Sequence, residues 1–152
     1  MSTITIREAT VEDLPAVVAM LADDDLGSGR EQISAEIPAA YYTAFEKIET
    51  DPNSRIILAE LSGEIVGTFH LIYIPSLSYT GSTRAQIESV RTVKHLRGQG
   101  IGKKMMQWAI ETARADGCHL IQLSTNNQRQ RAHHFYKQLG FTASHQGMKL
   151  ML

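Results

Sequence analysis

The chain has 152 residues, which fits one domain built around one core. Hydrophobic residues make up 43% and charged residues 20%, with a net charge of -1, so no global basic field favours nucleic acid or an anionic membrane. No apolar run approaches the ~20 residues that span a bilayer, and Cys118 is the only cysteine, which excludes an internal disulfide.

Ile4 and Ile6 alternate with polar residues and predict a first strand. Thr10-Val11-Glu12-Asp13 reads as a capping box. Leu14, Val17, Val18 and Leu21 then recur at helical spacing, so a helix is expected over 11–22. The run Asp23-Asp24-Asp25 opens a loop that is read first as a solvated helix end and second as an attractor for a cationic amine. A second helix is expected over 38–48, with Pro38 in its first turn. Its Tyr41, Tyr42 and Phe45 read as core or lid.

Strands are expected over 55–61 and 64–74, joined at Ser62-Gly63, and a third over 83–93. A helix follows from Ile101 to Ala115 and stops at Asp116-Gly117. A short strand over 119–124 precedes a helix over 129–139, closed by Gly140. Phe141 to Leu152 is expected to form a last strand. The order β-α-α-β-β-β-α-β-α-β implies an α/β (α+β) fold, one central sheet with helices on both faces.

Between the third strand of that meander and its helix lies Arg97-Gly98-Gln99-Gly100-Ile101-Gly102-Lys103-Lys104. A strand, a glycine-rich turn and a helix N-terminus together expose backbone N–H groups that the helix itself leaves unpaired. Glycine lets an anion approach that backbone closely. Lys103 and Lys104 sit where the helix dipole disfavours them, and a bound anion offsets that. A Walker A loop fits poorly, because it needs glycine at 97 and Ser or Thr at 104, where Arg97 and Lys104 stand. A dinucleotide fingerprint fits poorly too, because Gly98, Gly100 and Gly102 are evenly spaced and late in the chain.

The pattern that remains, Arg97-x-x-Gly100-x-Gly102, resembles the acetyl-CoA signature of the GCN5-related N-acetyltransferases, the GNAT superfamily. A second stretch, Ala132-His133-His134-Phe135-Tyr136-Lys137-Gln138-Leu139-Gly140-Phe141, resembles that family's tyrosine helix and lies about 35 residues downstream. The resemblance spans the whole chain, and the loop from Asp23 to Gly27 and the ending from Ala143 to Leu150 look like a bacterial subgroup. It implies a GNAT fold with a mixed sheet of six to seven strands, acetyl-CoA as co-substrate, and direct acetyl transfer to a primary amine of a small molecule or protein. Backbone N–H groups from Gly98 through Gln99, Gly100, Ile101 and Gly102 to Lys103, with Arg97 beside them, are implied to hold the pyrophosphate. Arg91, Thr92 and Val93 are implied to line up with the pantetheine arm.

An amine of pKa ~10.4 is neutral in only ~1 molecule in 10³ at pH 7, so it needs a base. The resemblance places Glu88 in that role; otherwise Glu88 faces solvent or pairs with Arg84. Tyr136 matches the tyrosine that protonates the leaving thiolate; otherwise it packs in the core. The family's asparagine seven positions before the tyrosine is replaced by Arg129. Asn126 or Asn127 is expected to substitute for it, or Arg129 to reach the CoA phosphates. Six histidines show no metal-ligand spacing, so no metal is expected. The remaining expectations are a cytoplasmic enzyme, no nucleic-acid or membrane partner, and a possible homodimer through the C-terminal strand. The acceptor is expected between the loops 23–37 and 75–83. A non-catalytic CoA-binding module and transfer of a bulkier acyl group are the alternatives.

Overall fold

The computed structural model describes residues 3–23 and 36–152. Most of the acidic loop and most of the 23–37 acceptor loop therefore lie outside the described residues. Strand β1 (Ile4–Glu8) leads into a 3-10 turn over Val11–Asp13 and helix α1 (Leu14–Ala22). The expected helix start at 11 is corrected here. Pro15 has no N–H to give to the carbonyl of Val11, so the first turn closes by the tighter bonds Asp13 N–H to Thr10 O and Leu14 N–H to Val11 O. The capping box between Thr10 and Asp13 is present.

Helix α2 (Ala39–Glu49) precedes strands β2 (Ser54–Leu61) and β3 (Glu64–Pro75), a single helical turn α3 (Ser78–Gly81), and strand β4 (Thr83–Thr92). Helix α4 (Ile101–Ala115), strand β5 (Leu120–Leu123) and helix α5 (Gln130–Gln138) complete the elements. The sheet is mixed and has five strands in the order β1-β2-β3-β4-β5. The first three pairings are antiparallel, and β4 pairs with β5 in parallel. Helices pack on both faces. On one, Met105, Met106 and Ala109 of α4 meet Ile57, Phe69, Leu71 and Ile87 of the sheet. On the other, Leu14, Val17 and Phe45 of α1 and α2 cover Leu58.

The expectation of six to seven strands is not confirmed: among the described residues the sheet has five, and Phe141 to Leu152 forms no strand. Met148, Leu150 and Leu152 keep a two-residue alternation, yet they are 93%, 84% and 115% exposed. A strand needs a neighbour for its N–H and C=O groups, and among the described residues no strand pairs with that stretch.

Candidate active site

Two irregularities in β4 open the site. The parallel pairing of β4 with β5 runs from Arg84↔Leu120 to Ile87↔Leu123 and stops there, while β4 continues to Thr92. The two strands therefore part company at Glu88. Immediately beyond, the β3–β4 register passes from His70↔Glu88 to Thr68↔Arg91, so Ser89 and Val90 together oppose Phe69 alone. Ser89 has φ +53°, a left-handed conformation that costs a non-glycine residue on the order of 1 kcal/mol. Strain of this kind, next to an open sheet gap, is a recurrent mark of functional backbone.

β4 then delivers the chain into a 3-10 turn over Lys94–Leu96 and the glycine turn. Gly98 and Gly100 take φ of +80° and +86°, which folds the backbone back on itself before α4 begins. Among the described residues, the N–H groups of residues 98–103 have no hydrogen-bond partner; the first in this stretch to find one is Lys104, to the carbonyl of Gly100, at 3.0 Å. Donors left unpartnered among the described residues at the positive end of a 15-residue helix are the arrangement that suits an anion. Arg97 donates to the carbonyl of Asp23 at 3.3 Å, tying this turn to the end of α1.

α5 lies against the same turn. A Cβ on Gly102 would stand 3.4 Å from the Phe135 ring, so glycine allows the two helices to meet there. Phe135 and Phe141 flank Tyr136 edge-on at 5.0 and 5.7 Å between ring centroids. Tyr136 is buried in the α4-side cluster with Ile87 and Met105. Burial pushes its phenol up to about 12, against smaller opposing effects of Arg91 and Arg129, so the hydroxyl keeps its proton at neutral pH. Before α5, the Asn126 side-chain oxygen accepts from Gln128 N–H, and its carbonyl accepts from Arg129 N–H. The Asn127 carbonyl accepts from Gln130.

Glu88 is exposed and accepts from Gln86 at 3.2 Å rather than from Arg84. It stands on the opposite face of the sheet from the Tyr136 cluster, in register with His70 on β3. His70 Nε2 lies 2.6 Å from Ser54 Oγ, and Ser54 is itself buried. Burial lowers the His70 pKa below the usual imidazole value, with Glu88 and Asp51 pulling weakly the other way. His70 and Ser89 form part of the wall of a pocket of about 190 Å³. Hydrocarbon dominates that wall, from Leu14, Val17 and Leu21 of α1, Phe45 and Ile48 of α2, and Ile56 of β2. Sequence reasoning missed His70, Ser54 and Ser89. Nothing local marks them; His70 is one polar residue in an apolar strand until the register sets it beside Glu88.

The profile of the Acetyltransferase (GNAT) family matches residues 19–141. The chain belongs to the GNAT acetyltransferase family. It is therefore an acyltransferase of a family that uses acetyl-CoA. Across 144 residues it is 33% identical to the aminoalkylphosphonate N-acetyltransferase of Salmonella typhimurium, covering 92% of this chain and 86% of that one. It is 29% identical to the glucosamine 6-phosphate N-acetyltransferase of Trypanosoma brucei brucei, over 65% of each chain. A crystal structure from Bacillus halodurans C-125, described as a transcriptional regulator, superposes with a TM-score of 0.96 at 51% identity, over 99% of this chain and 100% of that one. Among the described residues, this GNAT domain gathers no group of three or more His, Cys, Asp or Glu suited to a metal, and no helix long and apolar enough to cross a membrane.

Proposed function

We propose that this protein moves an acetyl group from acetyl-CoA directly to a primary amine of a small molecule or peptide. The observation that carries the reading is the set of six N–H groups over residues 98–103 left unpartnered among the described residues, placed where β4 leaves β5. Here the residues fit the donor. The turn would hold the pyrophosphate through Gly98, Gln99, Gly100, Ile101, Gly102 and Lys103, with the Arg97 charge beside it. Arg91, Thr92 and Val93 would run along the pantetheine arm as an added strand, in the space that β5 does not fill. Arg129, whose charge is felt at Tyr136, and Asn127 would add contacts to the CoA phosphates or the pantetheine arm. When bound, acetyl-CoA supplies the activated acyl group.

Tyr136 would donate its hydroxyl proton to the departing thiolate, and Glu88 would be the final acceptor of the amine's proton. The 190 Å³ pocket under α1 and α2 would take the acceptor, since Ser89 of the bulge forms part of its wall. The C-terminal segment supports a homodimer in which residues 148–152 of one copy find a strand partner in the other. In a lone chain their apolar side chains stand in water.

Calorimetry with acetyl-CoA, CoA and NAD tests the donor, and thiol release against a panel of amines tests the transfer. Binding of acetyl-CoA and CoA but not NAD is expected. NAD binding without CoA binding would sink the reading. CoA binding with no thiol release for any amine would favour a non-catalytic CoA-responsive module, the alternative that the Bacillus halodurans regulator suggests.

A further inference from the structure

The two N-acetyltransferases described above are named for acceptors that carry a phosphonate or a phosphate. The pocket here does not look built for such a group. Among the described residues of its wall there is no Lys, Arg, Asp or Glu. Its polar groups among the described residues are Tyr41, Thr68, His70 and Ser89, and the other described lining residues, from both helices and the sheet, are hydrocarbon. Desolvating a dianion against such a wall is strongly unfavourable, whereas an alkyl or aryl body gains about 25 cal/mol per Å² buried.

The polar end of the pocket is where an ammonium group would come to rest. His70 belongs to the wall, and Glu88 does not. Glu88 is the cross-strand neighbour of His70 and its electrostatic partner. Ser54 engages Nε2 of the ring. Nδ1 has no hydrogen-bond partner among the described residues. The charged groups acting on the ring are Glu88 from β4 and Asp51 from the turn before β2; neither α1 nor α2 adds a charge to the pocket wall.

Building on the acetyl-transfer reading, we propose that the acceptor is a primary amine with an uncharged apolar body, and that His70, steadied by Ser54, takes the ammonium proton and passes it toward Glu88. The freed amine lone pair then attacks the thioester carbonyl carbon. The C–N bond forms, the C–S bond breaks, and the thiolate leaves with the electron pair and is protonated. The nitrogen's second proton is lost as the amide forms, so the overall change is one amide, one thiol and one proton released to solvent.

The test compares 2-phenylethylamine and hexylamine with 2-aminoethylphosphonate and glucosamine 6-phosphate, read as CoA thiol release. The wild type and Ser54→Ala, His70→Gln, Glu88→Gln and Ala44→Lys are used, with calorimetry of acetyl-CoA on each. The apolar amines are expected to show kcat/KM at least ~10-fold above the anionic pair, and His70→Gln to lower kcat by ~10²-fold without changing acetyl-CoA affinity. Ala44→Lys, which adds a cation at the exposed rim of the pocket, is expected to narrow the substrate ratio. In Glu88→Gln the imidazole NMR titration of His70 moves to lower pH, because a raising charge is gone. An effect of Ser54→Ala on kcat smaller than that of His70→Gln is expected of a positioning residue. Equal rates on both amine classes, an unchanged kcat in His70→Gln, or acetyl-CoA binding with no amine acetylated would overturn this inference and leave the donor site standing. Failure of acetyl-CoA to bind would overturn both.

Discussion

The two halves of the site proposed for this GNAT domain are made from different material. The proposed donor side is backbone: the N–H groups of residues 98–103, two left-handed glycines and the stretch of β4 beyond its pairing with β5. The proposed acceptor side is side chains contributed by α1, α2, β2, β3 and the bulge, elements far apart in sequence. A site built from backbone must hold the same glycine spacing whatever the acceptor is. A site built from side chains can be re-lined one residue at a time. The difference explains why one half announces its ligand and the other does not.

Gly100→Asp strikes the backbone side hardest. It places a carboxylate where phosphate oxygens would sit and forces a non-glycine residue to φ +86°. Acetyl-CoA affinity is expected to fall by at least ~100-fold, read by calorimetry. Wild-type affinity would remove the anion cradle. Tyr136→Phe keeps the packing against Phe135 and Phe141 and removes only the hydroxyl. Thiol release is expected to slow by ~10²-fold with affinity for acetyl-CoA unchanged. If kcat is retained instead, Tyr136 belongs to the core and not to the chemistry.

A charge at Leu150 tests a surface that belongs to neither side. Leu150→Asp is expected to shift light-scattering mass toward the monomer while acetyl-CoA still binds. A monomeric wild type would refute strand pairing between copies.

The smallest effect lies at the hinge between β1 and α1. Arg7 binds Asp13 at 2.8 Å and Glu60 at 2.6 Å, and the hydrogen bond from Arg7 holds the Asp13 carboxyl down at about 2. A depressed carboxylate adds stability that is present above its unfolded pKa of ~3.9 and is lost as pH falls toward 2. Because Arg7 is 38% exposed and screened by solvent, Asp13→Asn is expected to cost only about 1 kcal/mol at pH 7 and a small fraction of that near pH 2. Urea titrations at the two pH values check the sign.

Local pattern alone located most of the elements. The periodicity of Ile101 to Ala115 and the glycine at 117 set α4 to the residue. These are short-range signals, fixed by helix geometry and by the φ values that glycine tolerates. The same is true of the glycine turn, whose N–H groups come from six consecutive residues, 98–103, and so depend little on the rest of the fold.

Tertiary structure decided what depends on partners. Pro15 shortened α1 only because its missing N–H mattered to a turn starting at Val11. The alternation over Met148 to Leu152 is strand-like, but whether a strand forms depends on an edge that this chain alone does not give it. His70 acquired its surroundings when the β3–β4 register set it opposite Glu88 and the β2–β3 pairing brought Ser54 to its ring. The sequence by itself therefore determined the family, because contiguous motifs carry it. The shape and polarity of the acceptor pocket were decided by the assembly of strands and helices, because contacts between distant residues have no signature in either segment alone.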